Sequence, residues 1–171
     1  MIYEISHKIY IQKIDLPTNN CERKISRDDM KNNFLPLSRN ELARRGWDDI
    51  DIVLITGDAY VDHPAFGTAV IGRLLEAQGY RVGIIAMPDW TDPESVTVFG
   101  KPRLFFGVTS GNVDSMLARY TAFKRYRSDD PYVPGGKAGC KPERALLVYC
   151  NLISRENPSM LLGKGSLVAQ E

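Results

Sequence analysis

Cysteine and histidine are scarce in this chain, and neither sign of charge predominates. The three cysteines, Cys21, Cys140 and Cys150, are odd in number and widely spaced. They lack the paired ligand spacing of a structural zinc site and the even count of a disulfide framework. They read as reduced thiols, which fits a cytoplasmic location. Only two histidines occur, and His63 is the one in the body of the chain. A single imidazole with no second His or Cys nearby makes a poor transition-metal site. The net charge of +1 gives no global case for a nucleic-acid or membrane partner. No apolar run approaches the length of a membrane span, and the first fifteen residues lack the apolar block of a signal peptide. Internal repeats are also missing.

What is present is an ordinary globular composition, 43% hydrophobic and 25% charged over 171 residues, enough for one domain with a substantial core. Residues 1–33 show no sustained period and read as a flexible leader. The ordered part opens at Phe34-Leu35-Pro36-Leu37-Ser38. Ser38 as N-cap and Glu41 three residues later form a capping box, predicting a short helix over Arg39–Arg45. Gly46 would end it and bring Trp47 against a sheet.

The stretch from Asp51 to Trp90 is the most informative. Ile52-Val53-Leu54-Ile55 is an apolar run without alternation, as in a parallel strand covered on both faces. From Gly67 to Gln78, Val70, Ile71, Leu74 and Leu75 recur at helical spacing and predict one apolar face. Gly72 inside that helix suggests close approach to the sheet, and Gly79 a left-handed cap. Val82, Ile84 and Ile85 then form a second strand, completing a βαβ unit. Residues 57–66, at the carboxyl end of the first strand, lie where open α/β sheets bind ligands.

A third strand is predicted over Arg103–Val108, behind Pro102, and it ends in the polar turn Thr109-Ser110-Gly111-Asn112. Asp114–Ala122 carries Met116, Leu117 and Tyr120 at helical spacing; Ser110, Gly111 or Asn112 could cap this helix, or hold an anion on its free N–H groups. Residues 127–139 contain three Gly and two Pro, which forbid regular structure over most of the segment. Gly135-Gly136-Lys137 fails the P-loop pattern, because Ala138 follows the lysine and position 131 is not Gly. Over 119–144, Arg119, Lys124, Arg125, Arg127, Lys137, Lys141 and Arg144 outnumber Asp129, Asp130 and Glu143, a net +4 that could face an anion, a partner chain or solvent. Pro142-Glu143 opens a last helix, with Ala145, Tyr149, Leu152 and Ile153 on one face.

As chemistry, Asp58, Asp62 and His63 could form an acid–base or metal cluster. The Pro-containing turn equally favours Asp for local hydrogen bonding. Asp89 and Trp90 follow the second strand at the same edge; the indole could stack on a flat ligand or close the core.

Several blocks together resemble the YgiQ-type (UPF0313) family of radical S-adenosylmethionine proteins, in their N-terminal region. They are Ile55-Thr56-Gly57-Asp58-Ala59-Tyr60, Val61-Asp62-His63-Pro64, Leu75 to Ala86 and Pro88-Asp89-Trp90. Further along come Lys101 to Gly107, Gly111-Asn112, Asp114-Ser115-Met116, Arg119-Tyr120-Thr121 and Arg127 to Asp130 through Pro134-Gly135-Gly136-Lys137. The similarity covers roughly residues 34–155. It implies a Rossmann-like, cobalamin-binding-like three-layer domain with a mostly parallel sheet. In the family this domain precedes a radical SAM barrel whose [4Fe–4S] cluster is held by C-x3-C-x2-C and binds S-adenosylmethionine. That motif is absent here, so no cofactor is expected in this chain. The cobalamin pattern Asp-x-His-x-x-Gly is likewise unmet, since Asp62 and His63 are adjacent. Residues 156–171 diverge, Met160 to Leu167 keeping only an echo of a further strand with paired glycines. A truncated or split gene product, or the accessory domain expressed alone, is the simplest account.

The leading expectation is thus an accessory domain, inactive alone, that packs on the barrel in cis or in trans. Asp58, Tyr60, Asp62, His63 and Thr109–Asn112 would face the enclosed cavity. A second is a free-standing module binding a small anionic or nucleotide-like ligand at the strand ends. Nucleic-acid binding through Arg119, Arg127 and Lys137 ranks last, because the net charge is near neutral.

Overall fold

A computed structural model describes residues 34–157 and 162–163. Cys21, the leader expected at 1–33 and most of the tail from 156 lie outside the described residues.

The fold is α/β. Strands β1 (Ile52–Thr56), β2 (Val82–Ala86), β3 (Phe105–Thr109) and β4 (Leu162–Gly163) form one parallel sheet in the order β2-β1-β3-β4. Helices α1 (Arg39–Arg44), α2 (Gly67–Ala77), α3 (Ser115–Arg119) and α4 (Ala145–Glu156) surround it. Ile52 pairs with Val82 on one side and Phe105 on the other, and the register runs to Thr56 between Ala86 and Thr109. All five β1 residues are buried, as its unbroken apolar run requires of a central strand covered on both faces. β3 starts two residues later than Pro102 suggests. Arg103 and Leu104 spend their N–H groups on the carbonyls of Ile50 and Asp51, just before β1 begins.

The pleat divides the sheet's side chains into two cores. Ile52, Leu54, Val82 and Ile84 join Leu35 beneath α2, with Ile71, Leu75 and Tyr80 half-buried around them. Val53, Ile55, Ile85, Phe106 and Val108 face the other way, against Leu42 of α1 and Ala145, Tyr149, Leu152 and Ile153 of α4. That four-residue face of α4 is the one its sequence predicts. Burying each such side chain stabilises the fold by about 1.5–3 kcal/mol, so the layering is set by the hydrophobic effect. Trp47 packs half-buried on the second core, under the guanidinium of Arg45.

The predicted face of α2 is rotated in the structure. Ala69, Gly72 and Glu76 are buried, while Val70 and Leu74 are exposed, Leu74 to 61%. The reason is the close approach that Gly72 permits: a Cβ there would stand 2.5 Å from Cδ1 of Leu35. Small residues must therefore line the contact, and Glu76 is tolerated inside because Arg45 and Arg73 both pair with it, at 2.6 and 2.7 Å. Gly79 adopts φ 90, the left-handed cap expected of it.

Three further local expectations change. The capping box forms with a shift: Ser38 Oγ accepts from the Glu41 N–H, but Glu41 reaches back to the N–H of Leu37. Helix α3 stops at Arg119 instead of continuing to Ala122, and Asp114, not Ser110–Asn112, caps it by accepting from Met116 N–H. Arg127 ends α3, because its Nε donates to the carbonyls of Leu117 and Tyr120. Helix α4 begins at Ala145, three residues beyond Pro142. Its first N–H donates to Ser115 Oγ, which itself donates to the Glu143 carbonyl, so its cap comes from another helix. Within the loop from 127, Pro134–Gly136 makes a turn in which Gly135 and Gly136 take the left-handed φ values 73 and 68.

Candidate functional site

Chain order reverses between β1 and β3, since the chain passes from β1 to β2 on one side and returns to β3 on the other. Open parallel sheets bind ligands at the carboxyl end of such a switch point. Two segments meet there, the loop after β1 and the turn after β3. They are pressed together: Gly57 N–H donates to the Thr109 carbonyl at 3.2 Å, and a Cβ on Gly57 would lie 2.3 Å from the Ser110 carbonyl oxygen.

Asp58 fills the crevice. It is buried, its N–H donates to Thr56 Oγ1, and its Oδ2 accepts from Asn112 N–H at 2.5 Å. Gly111 takes φ 112 and passes so near that a Cβ would stand 2.4 Å from the Asp58 carboxylate. The other oxygen of Asp58 is ion-paired with Lys141 Nζ, and Lys141 also lies 3.4 Å from Oδ2 of Asp130. All three side chains are buried. Unpaired charges at such depth are strongly disfavoured, so the lysine is what permits both carboxylates. Ala59 N–H donates to the Tyr132 carbonyl and Tyr132 N–H to Asp130 Oδ1, tying the loop from 127 onto the same edge. What remains is a cavity of about 10 Å³ lined by Thr56, Asp58, Tyr60, Phe66, Thr68 and Asn112, room for about one water.

The three residues proposed as an acid–base or metal cluster are not brought together. Asp62 pairs with Arg73 of α2, which bridges on to Glu76. His63 is exposed and its Nδ1 accepts from Ala65 N–H at 3.1 Å, a local turn contact. Tyr60 is half-buried, and its hydroxyl accepts from Leu35 N–H; burial, then the charge of Asp62, pushes its pKa up to about 12. Asp89 is exposed, and hydrogen bonds from Thr91 hold its carboxyl below the usual carboxylate range. Trp90 is exposed rather than closing the core. Thr109 Oγ1 accepts from Gly111 N–H, which shapes the turn.

Lys141 and Asp130 were invisible as site residues in the sequence, where one is a member of a basic segment and the other of an Asp pair. No local signal could have found them, because Lys141 lies 83 positions from Asp58. Of the basic residues singled out, Arg119 is turned inward, donating to the Lys141 carbonyl, while its Nε is buried without a hydrogen-bond partner and stands 3.8 Å from Glu143. Arg127 is held on α3 as described, and Lys137 is exposed opposite Asp129.

The three cysteines, Cys21, Cys140 and Cys150, do not have the C-x3-C-x2-C spacing that holds such a cluster. Among the described residues Cys140 and Cys150 are half-buried thiols, one in a loop and one packed on the second core. Among the described residues no three His, Cys, Asp or Glu are grouped as metal ligands.

A parallel sheet of this order, covered by helices on both faces and with its polar residues gathered at the β1/β3 edge, defines a Rossmann-like domain. The particular family follows from comparison: the model described as "Radical SAM N-terminal" matches residues 34–165, and the chain belongs to that family. It is 63% identical over 116 residues to a UPF0313 protein of Shewanella oneidensis, covering 68% of this chain and 15% of that protein. It is 54% identical over 136 residues to a UPF0313 protein of Thermotoga petrophila (80% and 24%), and 58% identical over 133 residues to one of Rhodopseudomonas palustris (76% and 20%). The matched segment thus spans only about a quarter or less of these relatives. No solved structure matches the chain. Among the described residues no helix is long and apolar enough to cross a membrane.

Proposed function

We propose that this chain is the N-terminal accessory domain of a radical SAM, [4Fe–4S]-dependent protein and carries no catalysis by itself. Its partner is the radical SAM barrel, in cis in longer relatives and in trans wherever the two are separate chains. The carboxyl edge, with Tyr60, Asp62, His63, Asn112, Asp89 and Trp90 around the buried Asp58, forms one wall of the substrate enclosure.

The carrying observation is the closure of the switch-point crevice by Asp58, Lys141 and Asp130. The described part of this crevice retains room for about one water, which supports a substrate held between this edge and another surface. The same closure argues against a free-standing module for a small anionic or nucleotide-like ligand, because Lys141 is already spent on two carboxylates.

The test has two arms. Anaerobic reconstitution of the purified chain with iron and sulfide should leave no cluster absorbance, and S-adenosylmethionine should give no 5′-deoxyadenosine. Mixing with the C-terminal portion of the Shewanella oneidensis relative should give a complex on size-exclusion chromatography. Stoichiometric cluster uptake by the chain alone, or failure to associate with that portion, overturns the proposal.

A further inference from the structure

The segment after α3 changes character once folded. Instead of continuing the helix, Tyr120 and Tyr126 pair as an antiparallel bridge, Thr121 N–H donates to the Arg125 carbonyl, and Arg127 N–H donates to the Arg119 carbonyl. Residues 120–126 thus form a small hairpin, its tip turned by Lys124 at φ 57 and by Thr121 Oγ1, which accepts from Arg125 N–H. The sequence pattern places Tyr120 on a helical face beside Met116 and Leu117. The hairpin instead lifts Phe123 and Tyr126 into solvent, 88% and 68% exposed.

These rings stand among cations. From Ser115 to Ser128 there are four, Arg119, Lys124, Arg125 and Arg127, and no acidic residue. The Lys124 and Arg125 side chains are exposed and form no ion pair with a described residue. The Tyr120 and Tyr126 ring centroids lie 5.0 Å apart, and the Arg119 guanidinium sits 5.5 Å from the Tyr126 ring. Glu143 is the neighbouring carboxylate, and the Tyr120 hydroxyl donates to it at 2.5 Å.

We infer that this hairpin binds a single-stranded nucleic acid. The exposed Phe123 ring gives a stacking face that any base can use, and flanking cations follow the phosphates; that combination is how single strands are held without sequence preference. A net charge of +1 conceals the feature, because the acidic residues lie elsewhere in the chain. An acidic protein surface would be drawn to the same cations, and competition by polyglutamate tells the two apart. The inference stands independently of the enclosure role proposed for the carboxyl edge.

The test is fluorescence anisotropy of the full chain with short labelled single strands of RNA and of DNA, with polyglutamate as competitor. Either single strand should bind and outlast polyglutamate of equal charge. Phe123→Ala should weaken binding about 5- to 150-fold, the range for loss of one stacked base, and Phe123→Trp should restore it. With two phosphates neutralised, a fourfold rise in salt should weaken binding about 7-fold, and the Lys124→Gln/Arg125→Gln variant should lose that dependence. All three variants should melt as the parent does, since the altered side chains are exposed. Absence of binding, an unaffected Phe123→Ala variant, or competition by polyglutamate equal to that of RNA overturns the inference; the last points to an acidic protein partner.

Discussion

Lys141→Met tests whether the buried triad holds the carboxyl edge together. The substitution nearly keeps side-chain length but removes the cation that, among the described residues, pairs with Asp58 and Asp130, both buried. Breaking a buried pair by removing one partner costs about 3–5 kcal/mol, because the remaining charge is left without compensation. Against a total stability of about 5–15 kcal/mol this is a large share. At about 2–4 °C per kcal/mol for a chain of this size, Tm should fall by roughly 6–20 °C. Asp58→Asn should cost less, since Lys141 keeps Asp130 and the amide oxygen still accepts from Asn112. The double variant should be more stable than the sum of the two losses implies, with a coupling of about 1–3 kcal/mol. Urea titration of the four proteins gives these values, and hydrogen exchange at the Asn112 and Ala59 amides reports whether the edge has opened. A loss for Lys141→Met below about 1 kcal/mol, the usual worth of an exposed pair, would refute the reasoning. So would additivity within about 0.5 kcal/mol.

Two glycines with similar backbone conformations should respond differently to alanine. At Gly79, φ 90 with nothing near the added Cβ, the loss should be about 1–2 kcal/mol; at Gly111, where the Cβ would meet the Asp58 carboxylate, it should be roughly 2–5 kcal/mol, and equal losses by urea titration would remove the claimed contact. Burial, then the charges of Asp58 and Asp89, raises the Tyr149 phenol from 10.0 to about 12. A phenol of raised pKa favours the folded state fully below the unfolded value and loses that contribution as pH climbs through the folded one. Stability should therefore fall between about pH 10 and 12 by up to about 3 kcal/mol more in the parent than in Tyr149→Phe. Identical alkaline profiles would count against a buried neutral phenol at this site.

Much of the architecture was legible because it rests on local patterns. The apolar run 52–55 must be a doubly covered strand wherever it lies, and Gly72 and Gly79 have the roles their positions suggest. The face of α4 carrying Ala145, Tyr149, Leu152 and Ile153 is also read directly. Where the reading failed, a distant contact outweighed a local one. The contact at Gly72 turned Val70 and Leu74 outward despite their spacing. Arg127 stopped α3, and Ser115 capped α4 from thirty residues away. Asp58, Asp62 and His63 share a loop but not a site, because Arg73 and Lys141 draw the two carboxylates in different directions.

By itself, then, the sequence determined the α/β class, the parallel sheet and the resemblance to the radical SAM N-terminal family, since apolar periodicity and ordered blocks of residues are properties of the chain. The tertiary structure alone decided what fills the crevice and what faces solvent. Electrostatic pairing acts through space, and the charge that neutralises Asp58 stands 83 residues away, beyond any spacing rule.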